Sequence, residues 1–264
     1  KIMLKVENIY KTFNPNTINE KKALNGVSLT LNDGDFVTVI GSNGAGKSTL
    51  LNAIAGIWPI DDGKIMIDEH DITKLKDFQR AKYIGRVFQD PMTGTAATMW
   101  IEENMALAKR RGKKRGLKIG IEDKERQEYK ELLKQLDLGL ENRLTTKVGL
   151  LSGGQRQALT LLMATMQKPR LLLLDEHTAA LDPKTANKVL EITDKLIKEN
   201  NLTTFMVTHN MKDALKYGNK IIMMCDGKII LEAEGKEKEK LTVKDLLDKF
   251  DTAGGVVSDS MILG

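Results

Sequence analysis

The sequence predicts an α/β protein in which a helical subdomain is inserted into an α/β core. Three observations predict it. The first ninety residues alternate short apolar runs with turn signals, as strands do. From about Trp100 to Lys168 apolar residues recur at three- and four-residue spacing, the helical period. Strand-like runs then return, separated by further helical stretches. A chain of 264 residues can bury a substantial core as one large domain, or one domain with a small lobe. The expected division is a core from 1–90 and 168–233, a helical subdomain over 91–167 and a charged C-terminal tail over 234–264.

The elements follow in order. MLKVENI (3–9), VSLTL (27–31), FVTVI (36–40), KIMI (64–67) and YIGRVF (83–88) are the early strands, parted by turns such as NDGD and DDGK. STLLNAIAGI, after FVTVI, is a helix opened by a glycine-rich loop. WIEENMALAKR, EDKERQEYKELLKQLDL and SGGQRQALTLLMATMQ are the helices of the middle. RLLLLD (170–175), TTFMVTH (203–209), KIIMMCDG (220–227) and KIILEA (228–233) are the later strands. Between them lie a helix over 183–199, with Pro183 suited to its first turn, and one over 211–217. In the tail TVKDLLDKF (242–250) makes one short helix, and the Gly/Ser-containing end is assigned no structure.

Composition excludes several classes. Apolar residues at 41% and charged residues at 29% suit a globular protein in water. No run approaches the roughly 18 apolar residues of a membrane span. The start reads as a strand, without the apolar block of a signal peptide. The one cysteine, Cys225, excludes an internal disulfide or a cysteine cluster and is expected as a small buried hydrophobe. These features lead us to expect a cytosolic protein. The net charge of +5 is modest and partly local, since KRRGKKRGLK (109–118) has seven basic residues and no acid. That stretch reads as a solvated loop, or as a patch for anionic lipid headgroups or an acidic partner. It has no interleaved aromatics on which bases could stack, so nucleic acid is not expected as a partner.

GSNGAGKST (41–49) fits the phosphate-loop pattern G-x-x-x-x-G-K-[ST] between a strand and a helix. Gly41, Gly44 and Gly46, with Ser42, Asn43 and Ala45 between them, let successive backbone N–H groups turn inward as an anion nest. The following helix adds the positive end of its dipole. Lys47 is then expected at the β- and γ-phosphates, Ser48 on Mg²⁺ and Thr49 toward the α-phosphate. LLLLDE (171–176) delivers two acids at the end of a buried strand, the edge where open α/β sheets bind ligands. Asp175 is the expected Mg²⁺-side carboxylate. Glu176 is the expected general base for the water that attacks the γ-phosphate.

LSGGQ (151–155) precedes an apolar helix, and with it the chain resembles the ATP-binding subunits of ABC transporters. Phe13 stands at that family's adenine-stacking position, Gln89 in VFQDP at its Q-loop, Asp182 in AALD at its D-loop and His209 in MVTHN at its switch histidine. The resemblance spans about residues 2–232. It implies a RecA-like P-loop NTPase core with an antiparallel β subdomain and an inserted helical subdomain. It also implies that Ser152, Gly153, Gly154 and Gln155 complete the ATP site of a second copy, so that two chains sandwich two ATPs head to tail. Asp182 would communicate across that interface. His209 would hold the transition-state geometry. Gln89 would sense Mg²⁺ and the attacking water, and hinge the helical subdomain.

The resemblance further implies transmembrane permease partners, gripped by a groove that Met92, Met99, Trp100 and Met105 would line unless they are ordinary core. In VFQDPMTGTAATMWIEENMALA and LLLLDEHTAALDPKTA the chain resembles bacterial importer ATPases of a tryptophan/tyrosine-type uptake subgroup, which work with a permease and an extracytoplasmic binding lipoprotein. The expected function is therefore to energise import of a small solute such as an amino acid, from the cytoplasmic face of the membrane. An exporter or lipoprotein-extracting ATPase, or a soluble ABC ATPase, is the alternative. His70 is expected at the surface. His177 replaces the family's usual proline after the acid pair, which should loosen the backbone there.

Overall fold

The computed structural model describes residues 1–112 and 120–254. The chain divides into two compact units. The first comprises Lys1–Ile84, Arg170–Glu176 and the chain from Asn201 onward; the second comprises Gly85–Pro169 and His177–Asn200.

In chain order the first unit starts with β1 (Ile2–Phe13), β2 (Lys21–Asn32), β3 (Phe36–Gly41), α1 (Lys47–Ala55), β4 (Asp62–Ile67), β5 (His70–Asp71) and α2 (Asp77–Arg80). Strand β6 (Ile84–Val87) crosses into the second unit, which continues as α3 (Ile101–Lys109), α4 (Asp123–Lys134) and α5 (Gly153–Thr165). Strand β7 (Leu171–Asp175) returns to the first unit and α6 (Pro183–Asn200) to the second. The first unit ends with β8 (Thr204–Val207), α7 (Met211–Lys216), β9 (Lys220–Cys225), β10 (Lys228–Glu234), α8 (Lys236–Lys240) and α9 (Val243–Thr252).

Two sheets build the first unit. The antiparallel sheet runs β2-β1-β4-β5, and Val27, Leu29 and Leu31 alternate inward along β2, as a strand with one covered face requires. In the other sheet β3 lies parallel between β8 and β9, β7 runs parallel beside β8, and β10 closes antiparallel on β9. Its central strands are covered on both faces, which is why they read as continuous apolar runs rather than alternating ones. Val37 and Val39 face Leu50, Leu51 and Ile54 of α1 in a core shared with the antiparallel sheet. Ile40, Ile221 and Met223 face the other way, onto Met211, Ala214, Leu246 and Phe250. The antiparallel subdomain and the parallel core agree with the sequence expectation. Cys225 is buried, also as expected.

Residues 234–254 of the region expected as a tail belong to this unit, and the rest of that region lies outside the described residues. Helix α9 is capped by Thr242, whose Oγ1 accepts from the Asp245 N–H at 3.2 Å, and it buries Leu246 and Phe250 completely. In the second unit α6 packs on α5, whereas the sequence reading had assigned 183–199 to the core. A stripe of Val189, Leu190, Ile192, Leu196 and Ile197 drives the burial, and a helical period alone does not say which neighbour receives it. Arg126 of α4 binds the buried Glu102 carboxylate of α3 at 2.9 Å. Lys109 and Arg110, the start of the basic stretch, pair with Glu128 and Glu125 of α4 at 2.5 and 2.9 Å. Residues 113–118 of that stretch lie outside the described residues. No helix among the described residues is long and apolar enough to cross a membrane.

Candidate nucleotide site

The glycine-rich loop leaves the C-terminal end of β3 and turns into α1. Gly46 sits at φ 104° as the residue before the helix, and a Cβ there would lie 2.5 Å from the Ala23 carbonyl oxygen. Only glycine satisfies both the left-handed turn and that close approach. Lys47 is buried, and its ammonium donates to the carbonyls of Gly41 at 2.6 Å and Ser42 at 3.2 Å. Two of its three protons are thus directed by the loop itself, and the third is left for a ligand oxygen. Burial lowers the Lys47 pKa, while the nearby Glu176 and Asp175 carboxylates act in the opposite direction.

A cavity of about 280 Å³ opens over this loop, lined by Asn43 to Thr49 together with Phe13, Lys21, Ala23 and Glu176. The Phe13 ring in this lining is held edge-on by Trp58 at 5.1 Å and 82°. The spacing of the ring from the loop is set by β1–β2 pairing, in which Phe13 faces Lys21. Lys21, Ala23 and Trp58 escaped the sequence reading. They reach the site through antiparallel register and ring packing, neither of which leaves a local motif.

Asp175 ends β7, and Glu176 follows it at φ 45°, a left-handed conformation that costs a non-glycine residue on the order of 1 kcal/mol. The Glu176 N–H donates to the Val207 carbonyl at 3.0 Å, which holds the turn. His209, just beyond β8, brings Nδ1 to 3.9 Å from a Glu176 carboxylate oxygen. The first unit therefore gathers a cation, a phosphate-loop nest, two carboxylates and an imidazole. Such a set can bind a polyphosphate, accept a proton from water and donate to a developing phosphate charge. The described residues hold no cluster of three or more acids, histidines or cysteines that could cage a metal. One hydroxyl and one or two carboxylates instead suit a hard cation that keeps its waters and takes phosphate oxygens as further ligands.

The other sequence-identified residues lie in the second unit. Gln89 is exposed directly after the Phe88 peptide. Ser152 and Gln155 form a reciprocal cap on α5: Ser152 Oγ accepts from the Gln155 N–H at 3.2 Å, and Gln155 Oε1 accepts from the Ser152 N–H at 3.1 Å. Gly153 is exposed. Gly154 is buried, and a Cβ there would meet Thr185 Cγ2 at 2.2 Å, so this glycine also permits close α5–α6 packing. Asp182 caps α6, accepting from the Thr185 N–H at 3.1 Å, and hydrogen bonding with the Thr185 side chain first, and with its N–H second, holds the carboxyl below the ordinary range.

Of the apolar candidates for a docking groove, Met105 is fully buried core, whereas Met92 and Trp100 are exposed. His70 is exposed, as expected. His177 departs from expectation. It is buried, its Nε2 lies 3.0 Å from Thr193 Oγ1, and its carbonyl accepts from Gln157 at 2.7 Å. The backbone after the acid pair is pinned rather than loosened. Burial drives the His177 pKa down to about 4.

The sequence matches the ABC transporter family over residues 24–179. The tyrosine transport ATP-binding protein of Clostridioides difficile is 47% identical over 95% of this chain and 100% of its own length. The energy-coupling factor transporter ATP-binding protein EcfA2 of Clostridium acetobutylicum is 35% identical over 95% of this chain and 85% of its own. Among solved structures, the dimeric post-hydrolysis state of the ATP-binding cassette MJ0796, bound to ADP and Pi, superposes with a TM-score of 0.74. It is 33% identical and covers 88% of this chain and 98% of that one. With the phosphate loop, the acid pair and the near full-length similarity together, the chain belongs to the ABC transporter family as an ATP-binding, ATP-hydrolysing subunit.

Proposed function

We propose that this subunit energises import of a small solute, an amino acid such as tyrosine, through a membrane permease that it docks on at the cytoplasmic face. The observation that carries the solute class is the 47% identity, across nearly the whole chain, to a tyrosine transport ATP-binding protein. An extracytoplasmic binding lipoprotein would deliver the solute, and Met92 and Trp100 offer exposed apolar surface for the permease.

The working form on this reading is a head-to-tail pair with two composite sites, an arrangement supported by the dimeric state of the MJ0796 cassette. The 41–49 loop and Lys47 of one copy hold the phosphates, and Phe13 stacks on the base. Ser152, Gly153, Gly154 and Gln155 of the other copy cover the γ-phosphate, with Asp182 beside them. Glu176 takes a proton from water as its oxygen bonds to the γ-phosphorus and the bond to the ADP oxygen breaks. His209, held near Glu176, donates to the phosphate oxygens as charge builds on them. Ser48, Asp175 and Gln89 would hold Mg²⁺, which supplies charge neutralisation at the phosphates when bound.

Replacing Glu176 with Gln tests the chemistry. ATP binding should persist, turnover should fall by about a thousandfold and an ATP-dependent dimer should accumulate in size-exclusion chromatography. Normal turnover in that variant would remove Glu176 as the base. Copurification from membranes tests the assignment to import: recovery of a permease and a solute-binding protein supports it, and a permease without a binding protein favours export. The similarity to EcfA2 favours one second reading, in which the subunit serves an energy-coupling factor transporter. Recovery of a different ATP-binding chain as its dimer partner would support that reading.

A further inference from the structure

We propose that Gln157 is a positioning residue for hydrolysis: its carboxamide ties the peptide before Gln89 to the residue that follows Glu176. Gln157 lies in α5 and is fully buried. Its Nε2 donates to the Phe88 carbonyl at 2.8 Å and to the His177 carbonyl at 2.7 Å. Both neighbours are carbonyl oxygens, which can only accept, so the amide nitrogen must face them. Its Oε1 is buried and accepts from no group among the described residues. A buried polar side chain that leaves one atom unsatisfied has been kept for what its other atom does.

The two carbonyls lie on opposite sides of the chemistry in sequence. The Phe88 carbonyl belongs to the peptide whose N–H is that of Gln89. His177 is the next residue after Glu176, and Glu176 is itself held in a left-handed turn. One carboxamide therefore sets the spacing between the strand end that carries the Q-loop glutamine and the chain that leaves the acid pair. The neighbouring side chain reinforces the first grip. Arg156 donates from Nε to Thr95 Oγ1 at 2.8 Å and from its other nitrogens to Met92 Sδ at 2.8 Å and the Met92 carbonyl at 3.3 Å. The first two turns of α5 thus hold the 88–95 segment at three points. His177 is anchored from its other side by Thr193, so the His177 carbonyl is presented to Gln157 by a side chain fixed in α6.

This inference rests on the reading of Gln89 and Glu176 as hydrolytic groups, and the test separates the two. Gln157→Met keeps the length and apolar bulk but removes both donors. In the full chain it should lower kcat at least about tenfold, because sub-ångström to 1 Å misplacement of a reacting group has that scale of effect. KM for ATP and the affinity for a non-hydrolysable analogue should stay within about twofold, since the hydrogen bonds of Gln157 run to the Phe88 and His177 carbonyls. A general loss of folded protein would lower the number of binding sites rather than kcat per site, so kcat is normalised to bound analogue. A normal kcat per site, or a loss confined to KM, overturns the proposal. If Gln157→Met is too unstable to isolate, Gln157→Lys and Gln157→Glu are compared instead. The lysine retains N–H donors and the carboxylate has none, so the former should turn over several-fold faster; equal rates overturn the proposal. Glu176→Gln run in parallel distinguishes the failures. If it is inactive while the Gln157 variants are normal, only the tie fails; if it turns over normally, the underlying site reading fails.

Discussion

His177 should make the protein acid-labile in a window that its own burial defines. The Thr193 hydroxyl donates its single proton to the Val189 carbonyl at 2.7 Å, so at His177 the ring Nε2–H must be the donor to Thr193. Burial disfavours the charged ring and lowers its pKa to about 4 from the ordinary 6.5, so the folded chain keeps it neutral at pH 7. Between those values the unfolded chain binds a proton that the folded chain refuses. The destabilisation is absent above about pH 6.5, grows as the pH falls below that value and is complete once the pH passes the folded value. A shift of about 2.5 units corresponds to about 3 kcal/mol below pH 4, of which about 2 kcal/mol is already lost at pH 5. For a chain of this size that is a fall in Tm of roughly 4–8 °C between pH 7.5 and pH 5. Other groups titrate in the same range, so the measurement is a difference: differential scanning fluorimetry of the natural protein against His177→Leu at both pH values. The leucine leaves the Thr193–Val189 hydrogen bond intact and removes the titration. The natural protein should lose the extra 4–8 °C and the variant should not. An equal acid shift in both would refute the reasoning.

Two further outcomes follow from packing and hydrogen bonding. Arg80 is buried, and its guanidinium donates to the carbonyls of Ala53 and Ile54 at the end of α1 and to those of Leu75 and Thr73, each at 2.8–2.9 Å. Arg80→Met should cost about 3 kcal/mol in urea unfolding by orphaning these carbonyls, and Arg80→Lys should recover only part, since an ammonium cannot span the fork. Gly154→Ala should cost about 1–2 kcal/mol by driving a methyl into Thr185 Cγ2, and Thr185→Ser, which deletes that carbon, should restore most of it in a double-mutant cycle.

The residues at the phosphate loop were legible because their constraints are local. A strand, a run with glycine at 41, 44 and 46, and a helix can be read in one window, and the left-handed Gly46 and inward Lys47 follow from that window. The acids at 175–176 were legible for a similar reason, since a fully buried strand must deliver its last residues to the sheet edge. What was not legible depends on partners distant in sequence. Lys21 enters the cavity because β1 pairs antiparallel with β2 and places it opposite Phe13. Gly154 read as an anion nest, but its packing role needs Thr185, and nothing in LSGGQ announces that contact. His177 read as a looser substitute for proline because its sequence neighbours offer it no partner; Thr193 and Gln157 supply both. Helix α6 carries a clear apolar stripe, yet periodicity fixes only that a face is buried and not which unit buries it.

The same contrast bears on how the site is controlled. The residues of the first unit proposed to contact ATP are set by backbone geometry inside one window each, so substitutions there should act on binding or chemistry singly. The residues of the second unit are held by long-range side-chain hydrogen bonds: Gln157 to two segments, Arg156 to the 92–95 loop, and Asn104 to both the N–H and the carbonyl of Ala96 at 2.7 and 3.1 Å. Groups linked in this way respond together, because breaking one hydrogen bond leaves a buried partner unsatisfied and the segment must move to repair it. Exposed Met92 sits within the segment that Arg156 grips, so a load applied to Met92 from outside is borne by the same helix that positions the Phe88 and His177 carbonyls. That is the physical arrangement a subunit needs if the state of a membrane partner is to change the rate at which ATP is hydrolysed.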